Sequence, residues 1–217
     1  MTSVNNWNSY YEAKRDFLKY PDENLIRFIN KEIANVNAND LHILDLGCGT
    51  GRNTVFLSDS GLHAFGVECS ESAIEIAKSL SADRCISYGV CDFEELCFDD
   101  NYFDFVVDIQ SLQHNSSLKI KKIIEQILRV LKENGKYFGM LVSDNDHGYG
   151  KGDFFEVGTR TNIVSSTFEG VGLTHFFTKK EILSFFASFT SVSIETYERS
   201  INNMQDKISY FLVVATK

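Results

Sequence analysis

ILDLGCGTGRNT, residues 43–54, is the stretch on which the fold turns. Ile43 to Leu46 holds three apolar positions and one acid, the make-up of a short buried strand. Gly47, Gly49 and Gly51 follow at every second position, and a helical pattern starts at once. Glycine tolerates positive φ and lets a backbone approach a ligand with no Cβ in the way. A strand, a glycine turn and a helix start at the carboxyl edge of a parallel sheet form a nucleotide crevice. Two ligand classes compete for it. The dinucleotide pattern GxGxxG seats a pyrophosphate on helix amides, but here the spacing is GxGxG and Arg52 stands sixth. Asp45, two residues before the first glycine, would repel a pyrophosphate and attract a cation or an amino group.

Outward from this turn, strands and helices alternate. Upstream, Pro21 suits a first helical turn, and Leu25, Ile26, Phe28, Ile29 and Ile33 predict a helix over residues 22–35. The first strand covers 41–46 and the next helix 51–60. A second strand, 62–67, ends at Glu68, and Ser70 caps a helix running through residue 80. Residues 85–90 and 103–109 read as the third and fourth strands. Ile120, Ile123, Ile124, Ile127, Leu128 and Leu131 place one side of a helix, 119–131, against a sheet, and 136–142 is a fifth strand. Such alternation means right-handed crossovers and a mostly parallel α/β sheet with both faces covered.

The pattern changes after Val142. Residues 143–177 are rich in Gly, Asp, Asn, Thr and Ser, with a hairpin expected around Glu169-Gly170. A stretch this long in a compact domain is usually a functional lid or mobile. Thr178-Lys179-Lys180-Glu181 is a capping box leading into a helix with Ile182, Leu183, Phe185 and Phe186. Residues 191–197 and 210–216 alternate and read as a terminal strand pair.

Bulk properties narrow the function. A chain of 217 residues with 43% hydrophobic content suits one domain with a sizeable core. The net charge of -9 and the lack of a basic face disfavour nucleic acid as a partner. Lys121-Lys122 and Lys179-Lys180 read as solvated helix faces or first turns. The five cysteines, Cys48, Cys69, Cys85, Cys91 and Cys97, are odd in number and contain no CxxC pair. They read as reduced thiols in a cytoplasmic protein, and zinc is discounted. With no apolar signal region and no run of 18 apolar residues, no membrane role is expected.

S-adenosylmethionine meets the constraints of the glycine turn, because it carries a sulfonium, an α-amino group, a ribose and an adenine, and no phosphate. DLGCGTG, residues 45–51, resembles motif I of the class I S-adenosylmethionine-dependent methyltransferases, and the following strands keep the family's order. The resemblance covers about residues 40–142. Its closest form is the methyltransferase type 11/25 domain. The GRNT continuation, THFFTKKEI and the terminal strands are also distantly similar to small-molecule enzymes of the tellurite-resistance type. The resemblance implies a Rossmann-like, seven-stranded, mostly parallel sheet with helices on both faces and an antiparallel C-terminal strand. A lid insertion follows strand five, and residues 1–217 form one domain, as monomer or homodimer. It implies that Glu68 chelates both ribose hydroxyls and that Cys69 flanks adenine. Asp92 and Phe93, in CDFEEL, would lie against adenine, and the segment from Asp108 to Ser111, with Ile109, would line the methionine end. Gly47, Gly49, Gly51, Asp45 and Asn53 complete the expected cofactor set. The activity implied is methyl transfer to an O, N or S atom of a small-molecule acceptor, leaving S-adenosylhomocysteine. The alternatives are a catalytically silent binding protein on the same fold, or a nicotinamide dehydrogenase on a related one, against which the glycine spacing and Asp45 speak.

Outside the motifs, each residue has a bland and a sharp reading. Trp7, Tyr10 and Tyr11 either pack a helix on the sheet edge or form a flap over the cofactor within residues 1–20, with Tyr11 near the sulfonium. Arg15 could then pair with the cofactor carboxylate. Arg52 and Asn53 start a helix or contact a ligand. His114, beside Gln113 just after the fourth strand, is a structural histidine or a base at the crevice mouth. His147, in SDNDHGYGKGD, belongs to a solvated loop or, with Asp146, is a base on the lid. That loop lacks the ordered oxygens and terminal Glu of a calcium site, so metal is discounted. His175 faces either the core or the active site.

Overall fold

The computed structural model describes residues 3–13, 18–164 and 166–217. Arg15, expected as a carboxylate partner, lies outside them. Seven strands form one sheet in the order β3-β2-β1-β4-β5-β10-β9. They are β1 (His42–Leu46), β2 (His63–Glu68), β3 (Ser87–Val90), β4 (Phe103–Ile109), β5 (Leu131–Val142), β9 (Ser191–Ile201) and β10 (Asp206–Thr216). The first five pair in parallel, and β10 runs antiparallel between β5 and β9. Inserted after β5 is a small antiparallel sheet of β6 (Asp153–Glu156), β7 (Thr159–Thr161) and β8 (Thr174–His175).

The helices are α1 (Ser3–Ala13), α2 (Glu23–Ile33), α3 (Arg52–Asp59), α4 (Glu71–Leu80), α5 (Ser117–Val130) and α6 (Lys179–Phe185). Neighbouring residues of β1 point to opposite faces, as strand geometry requires. Ile43 joins Leu25, Phe28 and Ile29 of α2 and Leu57 of α3, whereas Leu44 and Leu46 join the α5 isoleucines and Phe186 on the other face. The sheet therefore has both faces covered, and its open carboxyl edge carries β1, β2 and β4 side by side. No helix among the described residues is long and apolar enough to cross a membrane.

Two elements go beyond the sequence reading. A tight hairpin turns at Val157-Gly158, joining β6 to β7, while Glu169-Gly170 lies in the longer connection that brings β8 back antiparallel to β7. Gly158 takes φ +79°, and a Cβ there would press on the His175 ring. The 168–172 segment makes turns that bury Phe168 against Phe176. The terminal ribbon is also longer than expected. Its tip carries Glu198, Arg199 and Lys207, whose polarity hides the strand pattern in an edge strand, and Lys207 Nζ lies 2.8 Å from Glu198 across the ribbon.

Candidate active site

The glycine turn is shaped by its neighbours. Gly47, Gly49 and Gly51 all have positive φ, of 74°, 53° and 86°. A Cβ on Gly47 would collide with the Ser111 side chain, and one on Gly49 would stand 2.8 Å from the Tyr11 hydroxyl. The turn is thus sandwiched between the end of β4 and the flap helix α1, with no room for side chains.

Glu68 ends β2 and fastens the turn from the other side. Its Oε2 accepts from Gly49 N–H at 3.2 Å, and its Oε1 accepts from Cys69 N–H at 2.7 Å, Ser70 N–H at 3.3 Å and the Cys69 thiol at 3.2 Å. The carboxylate nevertheless lines a cavity of about 650 Å³. A carboxylate oxygen has two lone-pair sites, so Oε2, with one donor among the described residues, keeps capacity for a ligand hydroxyl. Asp45 sits differently. It is buried beneath the turn, accepts from Thr54 Oγ1 at 2.6 Å and is pushed up to about 7 by burial. It does not line the cavity.

Around that cavity stand Gly47, Cys69, Asp92, Phe93 and Ile109, all expected from the sequence, with Tyr11 over them. Asp92 Oδ1 accepts from Glu94 N–H and shapes the loop after β3. Glu94 is clamped to α5 by Lys119 at 2.7 Å and Lys122 at 3.0 Å, so the loop is tied down on that helix. Burial pushes the Tyr11 phenol far above its ordinary value, with Glu68 adding to the shift, and it stays protonated.

A second cavity of about 230 Å³ adjoins the first and shares Trp7, Tyr10, Tyr11, Gly47, Gln110 and His114 with it. Phe168, Thr167 and Val171 of the insertion close it, together with Gly49, Asn53 and Gln113. Asn53 Oδ1 accepts from Asp22 N–H at 3.1 Å, and Arg52 donates to the Tyr20 carbonyl at 3.0 Å. The GRNT start of α3 therefore holds the chain that leads from the flap into α2. Gly51 lines neither cavity; a Cβ there would meet the Tyr88 hydroxyl.

The histidines separate. His114 lines both cavities, its ring edge-on to Trp7 at 5.1 Å between centroids. Its Nδ1 lies 3.2 Å from the Leu173 carbonyl. A carbonyl only accepts, so Nδ1 carries the hydrogen and Nε2 keeps its lone pair. Burial pushes the ring down to about 4, so it is neutral at pH 7. His147 lines neither cavity; its Nδ1 is 3.3 Å from Lys151 Nζ, and its neighbour Asp146 is spent on the Gly148 and Ser209 amides. His175 is buried in the insertion, 2.7 Å from Thr159 Oγ1 and packed on Phe177. Among the described residues no group of three or more His, Cys, Asp or Glu could hold a metal ion.

Gln110 and Ser111, expected only as part of the segment from Asp108 to Ser111, line the larger cavity, and so do Asn115, Lys119 and Ile123, which no motif in the sequence marks. Gln110 has φ +69°, an uncommon conformation for a side-chain-bearing residue, and this aims the backbone after β4 at the crevice. Ser111 donates to the Leu46 carbonyl at 2.8 Å and is tied to the buried Asp108. A strand pattern alone carries no signal for either.

Comparison with known proteins agrees with this geometry. Residues 43–135 match the family described as a methyltransferase domain. Sterol 4-C-methyltransferase strm-1 of Caenorhabditis elegans is 32% identical over 114 residues, which cover 50% of this chain and 33% of that protein. Ubiquinone biosynthesis O-methyltransferase of Coxiella burnetii is 31% identical over 110 residues, covering 50% of this chain and 46% of that protein. The matched stretch thus spans less than half the length of these curated relatives. A crystal structure of an S-adenosylmethionine-dependent methyltransferase from Methanosarcina mazei superposes with a TM-score of 0.69 at 23% identity, covering 86% of this chain and 96% of that one, which shows the shared fold. Motif order, sheet order and family match thus agree: residues 43–135 are similar to the methyltransferase-domain family, and the chain shares the fold of solved methyltransferases.

Proposed function

We propose that the protein transfers a methyl group from S-adenosylmethionine to a small-molecule acceptor, at an O, N or S atom. One observation carries this reading. Glu68, at the end of β2, is bonded to the glycine turn at Gly49, yet its carboxylate lines the larger cavity with acceptor capacity left over. A ribose diol is a pair of donors that such a carboxylate can receive. The residues fit the rest of the cofactor as well. Phe93, Cys69 and Ile123 offer an apolar slot for a purine, and the side-chain-free turn at Gly47 admits the methionine end. The rings of Trp7, Tyr10 and Tyr11 suit a neighbouring cation.

S-adenosylmethionine, once bound, supplies a methyl group already activated by the positive sulfur. The chain then has to align the acceptor and exclude water, and proximity can carry much of the acceleration. The smaller cavity is the acceptor chamber in this reading, walled by α1, the Gln113-His114 turn and the Phe168 segment. His114 Nε2 takes the proton when the acceptor is a hydroxyl. Its weak basicity suffices, because an oxygen that gains a methyl group becomes strongly acidic as it loses its proton. Two relatives named for unlike acceptors each match 50% of this chain, and the family match at residues 43–135 leaves out both α1 and the insertion, to which we assign the choice of acceptor. We place the protein in the cytoplasm, where its five free cysteines stay reduced, working as a monomer or homodimer without nucleic acid.

Isothermal titration with S-adenosylhomocysteine tests the proposal. Glu68→Ala should weaken binding by about 10–100-fold, the worth of hydrogen bonds to a charged group, and by more than His114→Ala does. Unchanged affinity in Glu68→Ala, or preferential binding of NAD by the wild type, overturns the site. Binding without methyl-donor consumption by any acceptor panel overturns the activity.

A further inference from the structure

Gln113 is the best-placed group in the crevice with unspent hydrogen-bonding capacity. It lies in the turn Leu112–His114 that follows β4, is wholly buried, and lines the smaller cavity. Its Oε1 accepts from Val142 N–H at 2.9 Å. That bond fixes the orientation of the amide, since only the oxygen can receive an N–H. The Nε2 group is left, and it has no hydrogen-bond partner among the described residues. Buried donors in native proteins are paired with few exceptions, so a lone one beside a cavity points to a ligand.

The adjoining residue offers the opposite polarity. His114 Nε2 holds a lone pair, because Nδ1 donates to Leu173. One turn therefore carries a donor and an acceptor on consecutive residues, both of which line one small chamber. The rings of Trp7, Tyr10, Tyr11 and Phe168 make flat stretches of the remaining wall, beside the polar Arg52, Asn53, Gln110 and Thr167. At about 230 Å³ the chamber lies below the roughly 300–1,000 Å³ range of drug-sized clefts.

We infer that the acceptor is a compact planar molecule whose methylated hydroxyl has a hydrogen-bond-accepting oxygen on the neighbouring carbon, and that Gln113 reads that oxygen while His114 takes the hydroxyl proton. This rests on the methyl-transfer reading above. The hydroxyl oxygen forms a bond to the methyl carbon as the carbon–sulfur bond breaks with its electron pair left on sulfur. The proton goes to His114 Nε2 and then to water. Gln113 is a specificity residue in this scheme: it selects among hydroxyl compounds and takes no part in cofactor binding.

The test uses protein saturated with S-adenosylhomocysteine and two isomeric probes, 2-hydroxybenzaldehyde and 4-hydroxybenzaldehyde, with binding followed by titration. The wild type should prefer the ortho isomer by about tenfold, the worth of one hydrogen bond. Gln113→Glu keeps an acceptor for Val142 N–H and loses the donor, and Gln113→Met loses the donor without adding charge. Both should abolish the preference at unchanged S-adenosylhomocysteine affinity, which a purely structural glutamine would not do. Equal binding of the isomers by the wild type, no binding of either, or a preference that survives both variants overturns the inference. Failure of the wild type to bind S-adenosylhomocysteine sinks the methyl-transfer reading instead.

Discussion

Asp45 stands next to last in β1 and Glu68 ends the parallel neighbour β2, yet only Glu68 opens onto the cavity. Asp45 is held under the turn by Thr54 Oγ1, where it shapes the floor. The sequence shows that an acid stands at or beside the end of each strand, but which of them faces a ligand depends on how the turn folds back. Thr54 and Tyr88 set that fold, and neither stands out in a linear pattern. Gly66, inside β2, is a companion case: a Cβ there would meet the Tyr88 ring at 2.8 Å, so the ring's place is the reason for the glycine. His114, by contrast, was legible from its position just after a strand end. Its burial has a pH consequence. The native ring is pushed down to about 4, and the unfolded chain binds the proton near 6.5. Between those values the unfolded state holds more protons, so stability is full above about 6.5 and is lost as the pH falls toward 4. His114→Gln, which stays neutral and can still donate to Leu173, should retain about 2–3 kcal/mol more than the wild type on going from pH 7.5 to 4.5. Urea midpoints at the two pH values check this, and parallel losses in both proteins would refute it.

Among the elements, the capping box follows a local rule, whereas the pairing inside the insertion and the start of β5 are set by distant partners. Thr178 and Glu181 form the expected capping box: Thr178 Oγ1 accepts from Glu181 N–H at 3.1 Å, and Glu181 Oε2 accepts from Thr178 N–H at 2.9 Å. α6 then seats Ile182 and Phe186 against the sheet, with the Phe186 ring 5.0 Å from that of Tyr137. Thr178→Ala should cost about 1 kcal/mol, the usual worth of an N-cap, and lower the midpoint of a thermal melt by a few degrees; an unshifted melt would show that packing alone holds α6. The insertion follows no such local rule. Its Asn-, Gly- and Ser-rich sequence fits many turns equally well, and the pairing is chosen by Thr159 and His175 meeting across β7 and β8. β5 begins five residues earlier than its apolar run suggests because the chain passes from α5 straight into the sheet, with an irregular register opposite Phe103 and Phe105.

For the molecule as a whole, the half we assign to the donor and the segments we assign to the acceptor obey different logic. Strand–helix alternation and a glycine turn were enough to place the first, because both recur wherever a parallel sheet opens a crevice. The flap leaves a fainter trace. α1 contributes no residue to the buried hydrophobic clusters among the described residues. It docks on α4 through Asn8 to Ser70 at 2.7 Å and Glu12 to Ser72 at 3.2 Å, and its aromatic rings wall both cavities. Removing residues 1–13 should therefore leave the far-ultraviolet dichroism and the melt almost intact while weakening S-adenosylhomocysteine binding by at least about tenfold, since a closing element gives affinity by shielding polar contacts from water. Loss of cooperative unfolding would make α1 part of the core instead.

β10 emerges from the ribosome later than the six strands it joins, yet it is wedged between β5 and β9. During synthesis, β1 to β5 can associate as they appear, but β9 has nothing to rest on until its successor arrives. Until then the nascent sheet presents the bare flank of β5, a template for pairing with other chains. The hazard lasts for the time needed to extrude residues 143–216, and the inserted sheet is made within that window.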